Sequence, residues 1–145
     1  EVLHFDTVQF LPNWQIRSLE EKKKITKEFM DIHESWIIEG NYSSLYYERR
    51  MEEADMIIML LFNRFRCLHR VIKRYLKYRD RTRPDMGKGC KEKLDKEFVW
   101  WILYGGRAKT TKERYKNIYR KYKNKTYIIK NQKTLDAWIS ENINS

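Results

Sequence analysis

The chain has 145 residues, a formal net charge of +11, and hydrophobic and charged fractions of 41% and 35%. Enough apolar side chain is present to close a core, which excludes a disordered chain. No apolar run approaches the roughly 18 residues of a membrane span, no signal-peptide pattern is visible, and Cys67 and Cys90 lack the C-x-x-C spacing of a zinc site or a disulfide framework. Such cysteine usage fits a reducing, cytoplasmic setting.

In chain order, residues 2–5 read as a short strand. Residues 11–14 read as a loop, because Pro12 restricts Leu11 and Asn13 favours turns. Ser18 and Glu21 have capping-box spacing, and the helix they open is expected to reach about residue 34, with Ile25, Phe29 and Ile32 on one face. Residues 36–38 form a second apolar run, followed by a short helix within 43–53. Residues 54–62 form a continuous apolar strand, expected to be buried on both faces as in a parallel sheet.

A basic helix over 65–78 comes next, with Leu68, Ile72 and Tyr75 facing inward. A loop over 79–91 contains Pro84, Gly87 and Gly89. The spacing then predicts a helix over 92–103 that packs Leu94, Phe98 and Trp101. Thr110 and Glu113 look like a second capping box. Strand 126–129 and helix 134–142 close the chain. Strands that alternate with helices predict an α/β fold with a parallel sheet.

Ligands of such sheets bind beyond the carboxyl ends of the strands. Asp6 follows the first strand and could hydrogen-bond an acceptor. Glu39 and Gly40 follow the second, placing a carboxylate beside a residue that allows close backbone approach. The charge is concentrated in residues 64–83, where seven arginines and two lysines oppose one aspartate, a net of +8. Arginine's planar fork suits phosphate oxygens. In an extended loop Arg79, Arg81 and Arg83 share one side, an arrangement suited to closing over a polyphosphate. The three histidines show no metal-ligand spacing, and no metal site is expected. Trp100, Trp101 and the stripe of Tyr115, Tyr119 and Tyr122 read as core.

Asp6 with the Leu-Pro-Asn-Trp run at 11–14, WIIEGNYS at 36–43, ADMIIMLLF at 54–62, RCLHRVIKR at 66–74 and TRPDMGKGCKEKLDKEF at 82–98 together resemble the DNA topology modulation proteins, adenylate-kinase-like P-loop NTPases. The resemblance covers nearly the whole chain in order, and the TRPDM segment is its most specific part. It implies a single nucleotide-kinase-like domain of three layers over residues 1–145, with a parallel sheet and a basic helical lid at 79–109. It implies ATP and Mg²⁺ as cofactors, a small-molecule acceptor as partner, and phosphoryl transfer as activity. Glu39, Arg81 and Arg83 would be catalytic. Asp6, Gly40, Asn41 and Tyr42 would bind the acceptor, and Arg70, Arg74 and Arg79 the phosphates.

One departure stands out. None of the five glycines lies in a G-x-x-x-x-G-K-S/T run, so the resemblance implies a first strand, phosphate loop and helix of about 20–30 residues upstream of Glu1. Two rival readings remain at this point: a basic DNA-binding, topology-modulating protein, and a nucleotide-binding relic without activity.

Overall fold

The computed structural model describes residues 1–79 and 81–143. Asp80, inside the expected lid loop, lies outside the described residues. Among the described residues the fold is mixed α/β, with seven α-helices and short sheets, two of them parallel pairs. The chain divides into two compact units, residues 1–52 with 75–93 and residues 53–74 with 94–145.

The first unit begins with β1 (Val2–His4), which pairs in parallel with β4 (Ile37–Glu39) so that His4 stands opposite Glu39. The chain passes from β1 straight into α1 (Phe5–Gln9), whose Phe5 and Val8 are buried. β2 (Phe10–Leu11) and β3 (Gln15–Ile16) form a small hairpin around Pro12, with Asn13 and Trp14 both at positive φ. The expected loop at 11–14 is therefore the tip of a hairpin. α2 (Leu19–Ile32) is capped as its sequence predicts: Ser18 Oγ accepts from the Glu21 amide and donates to the Glu21 carboxylate. Of the expected inner face, Ile25 and Phe29 are half-buried, but Thr26 and Met30 are the fully buried positions and Ile32 is 73% exposed. α2 ends at Ile32. Phe5, Val8 and Leu45 form the centre of this unit, with Leu3, Ile25, Ile38 and Tyr42 packed around them. α3 (Tyr47–Glu53) closes it.

In the second unit β5 (Ile57–Leu60) pairs in parallel with β6 (Thr126–Ile129), which has the bounds the sequence predicts. The apolar run around β5 predicts burial on both faces, yet burial alternates. Ile57 and Met59 are buried, whereas Ile58 and Leu60 are 42% and 55% exposed. Among the described residues β5 pairs with β6 alone, and opposite the exposed Leu60 the β6 residue Ile129 is 2% exposed. α4 (Arg64–Tyr78) runs from this unit into the first and has no fully buried residue; Ile72, expected to face inward, is 38% exposed.

α5 (Lys96–Leu103) starts later than expected because the Asp95 side chain accepts from the Phe98 amide and sets the boundary there. α6 (Lys109–Lys121) starts earlier than expected. A 3-10 turn at Gly105–Arg107 leads through Ala108 directly into it, so Thr110 lies inside the first turn and does not cap. α7 (Gln132–Asn142) is capped by Asn131. Among the described residues no helix is long and apolar enough to cross a membrane, and both cysteines are free.

The alternation along β5 predicts unequal effects of truncation. Ile57→Ala should lose about 2–5 kcal/mol in urea unfolding, whereas Ile58→Ala should stay within about 0.5 kcal/mol of the parent. Equal losses would contradict the one-sided burial.

Candidate functional site

The polar residues of the first unit gather where β1 and β4 end. Asp6 sits in the first turn of α1, directly after β1. The Tyr42 hydroxyl donates to Asp6 Oδ1 at 2.8 Å. Asp6 Oδ2 lies 3.7 Å from Arg83 Nη2, beyond hydrogen-bond reach. That oxygen therefore keeps its capacity to accept, and the side chain is 38% exposed.

Arg83 is the hub of this group. Its Nε is 2.8 Å from Glu92 Oε2 and its Nη1 is 2.8 Å from Asp85 Oδ2. Its side chain is only 10% exposed, and that of Glu92 only 4%. A single cation thus meets carboxylates from three points in the chain. The backbone supports this through bridges of Thr82 with Lys91 and of Arg79 with Glu92, and through a Glu92 amide that donates to Arg81 O at 3.0 Å. Below it Cys90 is buried and its thiol donates to Leu11 O. Gly87 runs against the same strand, since a Cβ there would lie 2.6 Å from Phe10 O.

The turn that carries Tyr42 is fixed from beneath by Arg50, which is 3% exposed. Its Nε donates to Leu45 O at 2.7 Å and its Nη2 to Tyr42 O at 2.6 Å. Its guanidinium lies 4.6 Å from the Phe5 ring centroid. Burial pulls its pKa down to about 10, which leaves it a cation at neutral pH. The ring face and the two carbonyls offset part of its desolvation. Gly40 begins the turn at φ 128°, and a Cβ there would lie 2.8 Å from Phe5 Cβ, so both backbone conformation and space require glycine.

Glu39 ends β4, where its Oε2 is 3.3 Å from His4 Nδ1. Burial, followed by the hydrogen bond to Asp6 and the charges of Asp6 and Glu39, raises the Tyr42 pKa well above the usual phenol range. Tyr42 is therefore a fixed donor at neutral pH.

Of the residues expected from the sequence, Asp6, Tyr42 and Arg83 are in one cluster, and Glu39 is near enough to act on Tyr42 electrostatically. Asn41 is exposed on the same turn, and Arg81 is exposed beside the Thr82 bridge. Arg79 belongs to the same unit, whereas Arg70 and Arg74 belong to the other. Arg70 is already engaged, donating to Gln132 and lying 4.0 Å from the Phe62 ring centroid.

His4, Arg50, Asp85 and Glu92 were not singled out from the sequence. Glu92 lies inside the TRPDMGKGCKEK segment with Arg83, but the bridges that bring the two together carry no sequence signal. Arg50 carries no sequence signal, being one of two adjacent arginines in a polar helix. Among the described residues no group of three or more histidines, cysteines and carboxylates could hold a metal ion. No family model, curated protein or solved structure matches this chain.

Arg83→Gln would remove the buried cation whose Nε lies 2.8 Å from Glu92 Oε2 and whose Nη1 lies 2.8 Å from Asp85 Oδ2. It should destabilise the protein by about 3–5 kcal/mol in urea titration, and a loss below about 1 kcal/mol would contradict the hub. Tyr42 should also leave an alkaline signature. Its folded pKa lies above its unfolded value of 10.0, so the unfolded chain releases that proton first. The contribution is intact below about pH 10 and falls as pH rises beyond it. Tyr42→Phe should therefore lose less stability than the parent above about pH 10; parallel curves would contradict the buried hydrogen bond.

Proposed function

We propose that the first unit carries the acceptor side of a P-loop, nucleotide-kinase-like phosphoryl transferase, with ATP and Mg²⁺ as the donor pair. The observation that carries this reading is the convergence of Asp6, Tyr42 and Arg83. Tyr42 is 36 residues from Asp6, Arg83 comes from a further segment, and all three meet beyond the ends of a parallel strand pair. That location is where α/β sheets bind ligands. The segments involved are also those that resemble the DNA topology modulation proteins.

Asp6 Oδ2 accepts the hydroxyl hydrogen of the acceptor. The Tyr42 donor and the Arg83 cation hold the carboxylate in place for that task. Glu39, paired with His4, lines the same side. Arg81 offers an exposed guanidinium for an anionic group on the acceptor, while Arg83 orients Asp6. The described residues do not build a site for the triphosphate or its Mg²⁺: Arg83 is occupied by carboxylates, and residues 1–145 contain no G-x-x-x-x-G-K-S/T run. The assignment to these residues is therefore acceptor binding and orientation.

The test is a titration of the full chain with nucleosides, nucleoside monophosphates and small polyols, read as melting temperature and calorimetric affinity. An acceptor that raises the melting temperature of the parent is expected, and Asp6→Ala should weaken its binding by about tenfold or more. Affinity unaffected by Asp6→Ala, or no acceptor that raises the melting temperature of the parent, would overturn the reading.

A further inference from the structure

The two units differ in charge. The first holds fourteen lysines and arginines against thirteen carboxylates, a net of +1, and the second holds seventeen against seven, a net of +10. Almost all of the chain's net positive charge thus lies outside the unit for which the acceptor site is proposed. A charge asymmetry of this size between parts of one chain points to a polyanionic partner.

The same unit exposes aromatic rings that its sequence assigns to the core. Trp100, Trp101 and Tyr104 are 62%, 56% and 56% exposed. They occur within five residues at the end of α5, unlike the scattered exposed apolar side chains of an ordinary surface.

Their orientation is fixed. A Cβ at Gly105 would lie 3.0 Å from Trp101 Cδ1, and one at Gly106 would lie 3.1 to 3.2 Å from three atoms of its six-membered ring. Trp101 therefore rests on bare backbone, with the Phe98 ring nearly parallel to it at 14°. Arg107 secures that backbone turn by donating to Ile102 O and to Phe62 O. Trp100 packs against Tyr104 with centroids 5.8 Å apart, and the Arg64 guanidinium of α4 lies 5.6 Å from the Tyr104 ring centroid. The turn leads directly into α6, whose 13 residues hold six lysines and arginines against Glu113 alone. Pre-oriented rings flanked by cations match the requirements of a single-stranded nucleic acid, whose unpaired bases stack while its phosphates follow the positive charge.

We infer that the second unit binds single-stranded nucleic acid, with bases stacked on Trp100, Trp101 and Tyr104 and phosphates held by Arg64 of α4 and the basic residues of α6. A duplex buries its base faces and cannot use these rings. An anionic membrane would use the charge and the rings without any need for bases, and serves as the competing outcome of the test.

The experiment titrates the full chain with labelled oligothymidylate and oligouridylate of about 16 nucleotides, with a duplex of equal length, and with phosphatidylserine vesicles. Anisotropy and tryptophan fluorescence are the readouts. Saturable single-strand binding with tryptophan quenching, weaker binding of the duplex and a fall in affinity with salt are expected. Trp100→Ala should weaken single-strand binding by about tenfold with an unchanged melting temperature, and Tyr104→Ala serves as a second variant should the first misfold. Affinity within about twofold of the parent in both variants, equal affinity for the duplex, binding to vesicles but not to the oligomers, or no binding would each overturn the inference.

Discussion

The guanidinium of Arg83 is the contact on which the first unit depends. Its three nitrogens face Glu92, Asp85 and Asp6, and little of it reaches solvent. Desolvating one such cation costs several kcal/mol, which only close and multiple countercharges offset. Once the charges are matched, the loop from 81 to 92 has a fixed place against the start of α1. Its own backbone bridges, and the Cys90 thiol that donates to Leu11 O, secure the same placement. Asp6 thereby acquires a fixed orientation, with one oxygen engaged by Tyr42 and the other still able to accept.

A second buried cation does the same for the opposite wall. Arg50 holds the carbonyls of Tyr42 and Leu45 and lies over the Phe5 ring. The turn from Gly40 to Tyr46 therefore cannot relax away from α1, and Tyr42 keeps its donor on Asp6. Phe5 joins the two walls: it precedes Asp6, supports Arg50 and leaves room at Gly40 for no side chain. The site is thus an arrangement of short elements made rigid by two arginines from beneath, a role for arginine that differs from gripping a free phosphate.

Much of this was legible in the sequence where local chemistry decides structure. Ser18 and Glu21 cap α2, β6 has its expected bounds, and Asp6 and Tyr42 flank the strands as polar exits should. Three features were not legible, each for a physical reason. The run containing β5 is apolar throughout, so its pattern carries no information about which face is covered, and the exposure of Ile58 and Leu60 depends on its neighbours. α5 is short and apolar on most sides, so helical spacing could not distinguish Trp101 as core from Trp101 as surface; the choice is made by the Gly105–Gly106 backbone. Arg83 and Glu92 meet through a loop whose course depends on bridges the sequence does not announce.

The acceptor chemistry proposed for one unit and the nucleic-acid binding inferred for the other would give the chain two separable sites. The most direct test of the first is a backbone amide chemical-shift map of the full chain during titration with nucleosides, nucleoside monophosphates and small polyols. The account predicts that a binding member of this panel shifts amides around Asp6, Glu39 to Tyr42 and Arg81 to Glu92, while those of Trp100 to Tyr104 stay in place. Shifts confined to Trp100–Tyr104, or no response around Asp6 to any member, would contradict the acceptor site.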